Sequence, residues 1–255
     1  MTGISHAMRM EPTPPNACPE CHRQRDQDLV QDWERSPRHR PGRVDCSSCH
    51  GSIHDGAMAA RARKNEVCLG CHPRESASYL ISKHGVILTL AAEDGDYSRW
   101  LSDGNYRSPT CGYCHLPRGR HSLQWTSDPV AEPSPLMTAV GAPHREWRMA
   151  LCQDCHSRRL VEDWFRIGTE GLAIAAMKVR EGEAVLREIV RRDPFAALHG
   201  HVIRQRMDRH LTNIRLGVGH QSPDGQWWRG QAALDGDLLR LKSLLSEVMI
   251  RSASP

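Results

Sequence analysis

The sequence has few of the residues from which an ordinary hydrophobic core is built. Only 2 of its 255 residues are Phe, 5% are aromatic and 39% are hydrophobic. No run of 18 apolar residues occurs, whereas a helix that crosses a bilayer needs about 20 of them. The composition therefore excludes a membrane span, and it predicts that side chains alone bury too little apolar surface for a chain of this length.

Cysteine, in contrast, is plentiful and regularly placed, since all ten cysteines fall in five copies of Cys-x-x-Cys-His. The copies are Cys18/Cys21/His22, Cys46/Cys49/His50, Cys68/Cys71/His72, Cys111/Cys114/His115 and Cys152/Cys155/His156. This pattern is typical of c-type haem, in which two thioethers hold the porphyrin and the following His binds the iron. Zinc ribbons would use the cysteine pairs two by two, which leaves one pair over, and they do not require the His.

Five covalent haem c groups would supply the apolar surface that the composition lacks. We therefore predict a mainly α fold with extensive loops. Its core, residues 1–156, wraps around five haems, and a C-terminal helical domain follows over residues 157–255. The formal net charge is +4, but the haem propionates bring the loaded protein close to neutral or mildly acidic. Nucleic-acid binding is accordingly not expected.

The haem motifs also predict where the protein works. In bacteria, haem is attached to such motifs outside the cytoplasm, so we expect a periplasmic or extracellular protein. Residues 1–15 lack the charged start and apolar stretch of a secretory signal. We therefore expect either that a leader has been removed or that the gene start is misassigned.

Apolar residues recur at helical spacing after His156, with charged residues between them. The pattern predicts helices over about 157–192, 195–216 and 227–250, and Pro194 suits the first turn of the second. Gly168, Gly171 and Gly182 count against the continuity of the first helix. Three helices with short links predict a bundle, which could also pair between subunits and form a homo-oligomer.

Each six-coordinate haem needs a second axial ligand, usually His or Met. Ten His lie outside the five motifs: His6, His39, His54, His84, His121, His144, His199, His201, His210 and His220. At most five of them are needed. Residue type alone leaves the choice among them open.

Sequence context separates these histidines. Four stretches are informative: Ser82-Lys83-His84-Gly85; Pro109 to Pro117 with Gly119-Arg120-His121; Leu151 to His156 leading into a long helix; and Gly219 to Asp224. Together they resemble the hydroxylamine oxidoreductase-like octahaem cytochromes and the pentahaem cytochrome c nitrite reductases, which share a five-haem core. The resemblance covers about residues 65–250.

The resemblance implies a set of distal ligands. His121 would bind the second haem, His220 the fourth and His84 the fifth. His6 would bind the third haem. His54, which lies four residues beyond His50, is a rival for that place because this spacing is common among distal ligands.

In both resembled families the first haem of the core is catalytic and has no distal protein ligand, which would make the haem on Cys18 and Cys21 the candidate site. Three features argue against catalysis. Residues 73–83 hold no spare His or Asp to serve as a proton source. All four Tyr precede the last motif, so a C-terminal Tyr cross-link to the catalytic haem is not expected. The surplus of His also offers ways to close the first haem.

We therefore expect a pentahaem electron carrier with mostly bis-His haems. Its partners would be other cytochromes or quinol-linked oxidoreductases. Two alternatives remain: a reductase of nitrite, hydroxylamine or a sulfur oxyanion at an open first haem, and a subunit of a cytochrome polymer or larger multihaem complex.

Overall fold

A computed structural model of the chain describes residues 17–36, 44–90, 108–121 and 142–253. These residues are helices, turns and loops without strands, which confirms the predicted helical class. The described residues that fall within Met1–Pro73 and Leu90–Asp128 form one compact unit, and those within Arg74–Thr89 and Pro129–Pro255 form a second. The two compact units do not divide at His156. The predicted division into a haem-binding core, residues 1–156, and a C-terminal helical domain, residues 157–255, stays a prediction.

The first unit is built from short helices. They are α1 (Ala17–Arg25), α2 (Gln27–Glu34), α3 (Cys46–His50), α4 (Met58–Arg63), α5 (Glu66–Leu69) and α8 (Cys111–His115), with a 3-10 turn at Pro117–Gly119. The second unit contains nearly all of α6 (Pro73–Leu80) and α7 (Lys83–Leu90), then α9 (Ala142–Gln153), α10 (Arg158–Arg192), α11 (Pro194–His220), α12 (Pro223–Gln226), a π-helix at Trp227–Ala232 and α13 (Ala233–Ala253).

Helices α10, α11 and α13 form the predicted three-helix bundle. Their buried side chains make one core: Leu172, Ala175, Val179, Ile189, Ala197, Ile203, Met207, Ile214, Leu234, Leu238, Leu241, Leu244 and Val248. Asp193 starts α11 by accepting hydrogen bonds from the backbone N–H groups of Phe195 and Ala196, and Pro194 occupies its first turn as predicted. None of the helices in the described ranges has the length and apolar content that a membrane span requires.

The glycines of α10 do not interrupt it, contrary to the doubt that the sequence raises. A Cβ at Gly182 would lie 2.7 Å from Cε of Met207, and one at Gly168 would lie 2.7 Å from Cγ1 of Val218. Both glycines face α11, so each lets the two helices approach closely. The packing gained there offsets the cost of about 1 kcal/mol of a glycine within a helix.

Candidate functional site

The five Cys-x-x-Cys-His motifs lie on or beside short helical turns, so both cysteines and the His follow one another around a single turn. At the second motif, Asp45 and Ser48 form a reciprocal capping box that starts α3 at Cys46. At the fourth, the Thr110 hydroxyl accepts the backbone N–H of Tyr113 and starts α8 at Cys111. The ten cysteines, all within the described residues, form no disulfide. Their thiols therefore remain available for thioether bonds.

The two cysteines of a motif differ in exposure. The first cysteine is half-buried in every motif, whereas the second is exposed in four of the five: Cys21, Cys71, Cys114 and Cys155. Their assignment as haem attachment points stays a prediction.

At the third and fifth motifs the helix ends before the second cysteine. Helix α5 ends at Leu69 and α9 at Gln153, so Cys71 and Cys155 lie in the turns that follow. The backbone N–H of Cys71 donates to the carbonyl oxygen of Cys68 at 3.2 Å, and that of Cys155 donates to Cys152 at 3.3 Å.

Two distant segments fix the backbone of the motifs and ligands. The buried Asn65 side chain accepts a hydrogen bond of 2.7 Å from the backbone N–H of Cys111. Asp32, on α2, accepts one of 2.5 Å from the backbone N–H of His121. Neither residue belongs to a motif, and the sequence gives no signal that would have identified them.

Three pairs of histidine rings lie at nearly the same separation. The ring centres of His50 and His121 lie 6.0 Å apart at 22°, those of His84 and His156 lie 6.0 Å apart at 40°, and those of His22 and His54 lie 6.3 Å apart at 40°. Nitrogen ligands bind a metal such as zinc at about 2.0–2.1 Å, and two opposite imidazoles on one such ion have ring centres about 6 Å apart. Each pair is therefore spaced to hold one iron between its members.

Two of these pairs join the residues that the resemblance assigns to each other. His121 faces His50 of the second motif, and His84 faces His156 of the fifth. The third pair brings His54 beside His22 of the first motif, whereas the sequence made His54 a rival ligand of the third haem. Arg61 bonds to this loop nearby: it donates to the carbonyl oxygens of His50 and Ile53, which precede His54, and to the carboxylate of Asp55, which follows it.

Of the two remaining expected ligands, the structure describes His220 but not His6. His220 ends α11, is half-buried and meets the ring of Tyr79 edge to face at 6.1 Å. His6 lies outside the described residues, as does His39. His199 and His201 are exposed on α11, and His210 bonds to Asp237 within the bundle.

The chemistry of the candidate ligands suits iron. Burial lowers the pKa of His50, His84, His121 and His220 below the ordinary value, so each imidazole is held in the neutral form that binds metals. Within the described part of the chain, the Nδ1 atoms of His121 and His220 are buried without a hydrogen-bond partner. Buried polar atoms normally have hydrogen-bond partners. These unpaired nitrogens therefore fit a site in which the haem or its propionates would supply the missing partner.

Local structure explains two of the four stretches on which the resemblance rests. In the Ser82–Gly85 stretch, the fully buried Ser82 hydroxyl accepts the backbone N–H of Gly85 at 3.1 Å. A Cβ at Gly85 would collide with the carbonyl oxygen of Tyr79, so glycine is required there. In the Gly219–Asp224 stretch, Gln221 adopts the left-handed conformation at a φ of 56° and ends α11 directly after His220.

Two cysteines from neighbouring motifs also meet. The thiols of Cys68 and Cys111 lie within hydrogen-bonding distance, and this contact together with burial raises the pKa of Cys68. Burial likewise raises the pKa of Cys49 and Cys152. The first cysteines of the third and fourth motifs are therefore adjacent.

Known proteins resemble this chain over most of its length. The family described as "Seven times multi-haem cytochrome CxxCH" matches residues 39–200, a range that holds four of the five motifs and leaves the first outside. A probable nitrite reductase-hydroxylamine oxidoreductase fusion protein of Kuenenia stuttgartiensis is 21% identical over 73% of the chain. The chain spans only 30% of that relative's length.

Solved structures share its fold. A chain of the reducing HAO-like protein complex of Kuenenia stuttgartiensis superposes with a TM-score of 0.61 and 16% identity, covering 99% of this chain and 88% of that one. A hypothetical multiheme protein gives a TM-score of 0.60 with 14% identity over 82% of this chain and 59% of the other. The motifs, the histidine pairs and the family match agree, and the chain belongs to the multihaem c-type cytochromes that bind haem covalently through Cys-x-x-Cys-His.

Proposed function

We propose that this chain is a pentahaem electron carrier whose first haem is closed by His54. The observation that carries the proposal is the 6.3 Å separation between the ring centres of His22 and His54, which matches one iron held by two imidazoles. A closed first haem has no position for nitrite or hydroxylamine. The absence of a spare His or Asp in residues 73–83 supports the same conclusion, since reduction of such substrates needs a proton source.

In the proposed assignment, His22 and His54 bind the first iron, His50 and His121 the second, and His84 and His156 the fifth. His72 would bind the third iron opposite His6, and His115 the fourth opposite His220, as the resemblance implies. When bound, each haem supplies a one-electron couple whose potential depends on its axial ligands and its burial. The contact between the thiols of Cys68 and Cys111 supports close attachment points for the third and fourth haems, as a chain of electron transfer requires.

We further propose that the protein acts outside the cytoplasm, because covalent haem attachment takes place there in bacteria, and that it exchanges electrons with another multihaem protein. The similar chain of known structure belongs to a complex of HAO-like proteins, which supports a cytochrome as the partner. The relative named as a nitrite reductase-hydroxylamine oxidoreductase fusion favours a second function, reduction of a nitrogen compound at the first haem, if that haem is open.

Electron paramagnetic resonance of the oxidised protein separates these two functions. A closed set of haems gives low-spin ferric signals only, and this is the expected result. A high-spin ferric signal equal to one haem, together with nitrite consumption by the dye-reduced protein, would refute the carrier. Mass spectrometry of the same sample checks that five haems are attached.

A further inference from the structure

The segment that carries His54 is a short surface loop, the His54 loop, defined here as residues 51–57 between α3 and α4. It begins at Gly51, whose φ of 78° turns the chain sharply after His50 and is unfavourable for other residues. Ser52, Ile53 and His54 are exposed. Packing against an apolar core therefore contributes little to the position of His54.

One side chain bonds to this loop at several points. Arg61, on α4, donates from Nη2 to the carbonyl oxygen of Ile53 at 2.8 Å and from Nε to that of His50 at 3.3 Å. Its Nη1 donates to both carboxylate oxygens of Asp55, at 2.9 and 3.0 Å. The guanidinium thus reaches the residue before His54, the residue after it and the end of α3.

Asp55 ties this arrangement to the next helix. Its Oδ1 accepts the backbone N–H of Ala57 at 2.9 Å, directly before α4 begins at Met58. The loop therefore begins at Gly51 and ends with the hydrogen bond between Asp55 and Ala57, and Arg61 bonds to its middle. A planar guanidinium can make these bonds in several fixed directions at once, which a lysine ammonium cannot.

From these contacts we infer that Arg61 is a positioning residue that holds His54 on the first haem. The inference rests on the proposed function, because it requires His54 to be the sixth ligand of that iron. Without the guanidinium, the loop gains conformational freedom and His54 leaves the iron more often. The first haem then becomes a site for small neutral ligands that bind ferrous iron, of which carbon monoxide is the convenient probe.

The test uses the five-haem protein and four variants: Arg61→Met, Arg61→Lys, His54→Ala and Arg192→Met. Methionine keeps much of the apolar stem of Arg61 and removes every donor. Arg192 is the matched control, because it pairs with Glu188 at side-chain exposures of 33% and 31%, close to the 36% and 34% of Arg61 and Asp55. Carbon monoxide binding to the fully reduced proteins is followed by absorbance, and the oxidised proteins are compared by electron paramagnetic resonance.

Carbon monoxide competes with His54, so its binding rate reports how often the iron is free. We expect negligible binding to the native protein and to Arg192→Met, and rapid binding to one haem in His54→Ala. The rate for Arg61→Met should exceed the native rate by about tenfold, as expected on losing a charge-assisted hydrogen-bond set. Arg61→Lys should fall between the two. The double variant His54→Ala/Arg61→Met should match His54→Ala alone, because Arg61 acts through His54.

The outcomes distinguish the two proposals. If His54→Ala binds carbon monoxide at one haem but Arg61→Met behaves like the native protein, the role of Arg61 is refuted and the ligand assignment stands. If His54→Ala stays six-coordinate and low-spin at every haem, the ligand assignment itself fails. Should Arg61→Met not acquire five haems, Arg61→Lys decides the question: native behaviour there overturns the positioning role and faster binding supports it.

Discussion

The motif region and the C-terminal bundle bury very different sets of residues. The motif region consists of the described residues within 17–73 and 108–121, and the bundle consists of α10, α11 and α13. Among those residues of the motif region, Val30 and Tyr113 are the buried hydrophobic ones, and Asn65 and Thr110 are among its buried polar ones. The bundle instead has thirteen buried hydrophobic residues in one cluster. The comparison teaches that side chains suffice to hold the bundle, whereas the motif region depends on its haems for apolar contact.

Loss of one haem should produce the largest effect, and it should be confined to the motif region. Cys46→Ala with Cys49→Ala removes both thioether bonds of the second motif, whose proposed ligands, His50 and His121, both lie in the motif region. We expect one haem fewer by mass spectrometry and faster amide hydrogen exchange in α3 and around His121. Amides of the bundle should keep their protection and serve as the internal control. Equal loss of protection in α10 and α13 would contradict the difference between the two regions.

The bundle core gives the next largest effect. Leu241 is fully buried and lies near Gly182 and Gly200, so Leu241→Ala should lower the free energy of unfolding of the bundle by about 2–5 kcal/mol. Leu239→Ala is the matched control, since that side chain is 63% exposed on the same helix. Far-ultraviolet circular dichroism follows the bundle, and the Soret absorbance, which should stay unchanged at room temperature, follows the haems.

A buried carboxylate should contribute less, and in a manner that depends on pH. Burial by itself raises the pKa of Asp237, but hydrogen bonds from Arg206, Arg240 and His210 outweigh it and hold the pKa below the ordinary value. Asp237→Asn should therefore lower the free energy of unfolding by about 1–3 kcal/mol at neutral pH.

The sign of that pH dependence follows from the lowered pKa. The contribution of Asp237 is fully present above the unfolded pKa of about 4 and is lost as the pH falls through the lower folded value. Urea unfolding at pH 7 and pH 3 checks this, with Glu247→Gln, an exposed carboxylate of the same helix, as control. If Asp237→Asn lowers the free energy of unfolding by the same amount at pH 7 and pH 3, the prediction is contradicted.

Ion pairs on the outer face of the bundle should have the smallest effect. Arg166 reaches Asp163 and Glu170 along α10, with 56% of its side chain exposed. Water screens such pairs, so Arg166→Ala should leave the unfolding midpoint unchanged within error. A clear decrease would show that surface charge, and not only the apolar core, stabilises the bundle.

Much of this architecture could be predicted because its signals are local. The helical spacing of apolar residues predicted α10 closely, and Pro194 marked the start of α11. The doubt over Gly168 and Gly182 arose because helix propensity describes one helix alone. Side chains of α11 approach both glycines so closely that a Cβ would not fit there. The π-helix at Trp227–Ala232 escaped prediction for the same reason, as its close contacts involve Gly225 and Ile214 rather than its own sequence pattern.

In the candidate site, too, some residues could be predicted from local sequence and others could not. The resemblance pointed to His121 and His84, since each lies in a recognisable stretch. It did not point to Asp32, Asn65 or Arg61, whose bonds to the motifs and ligands involve partners that sequence spacing does not reveal.

The sequence by itself determined that haem is bound covalently and that a helical bundle follows, because thioether chemistry and helical periodicity are properties of neighbouring residues. Only the tertiary structure placed His54 beside His22 of the first motif. A haem ligand pair joins residues far apart in the chain, and the turn of a loop such as residues 51–57 sets the direction of its His. At that loop Arg61 donates to the carbonyl oxygens of His50 and Ile53, and the ring centres of His54 and His22 lie 6.3 Å apart.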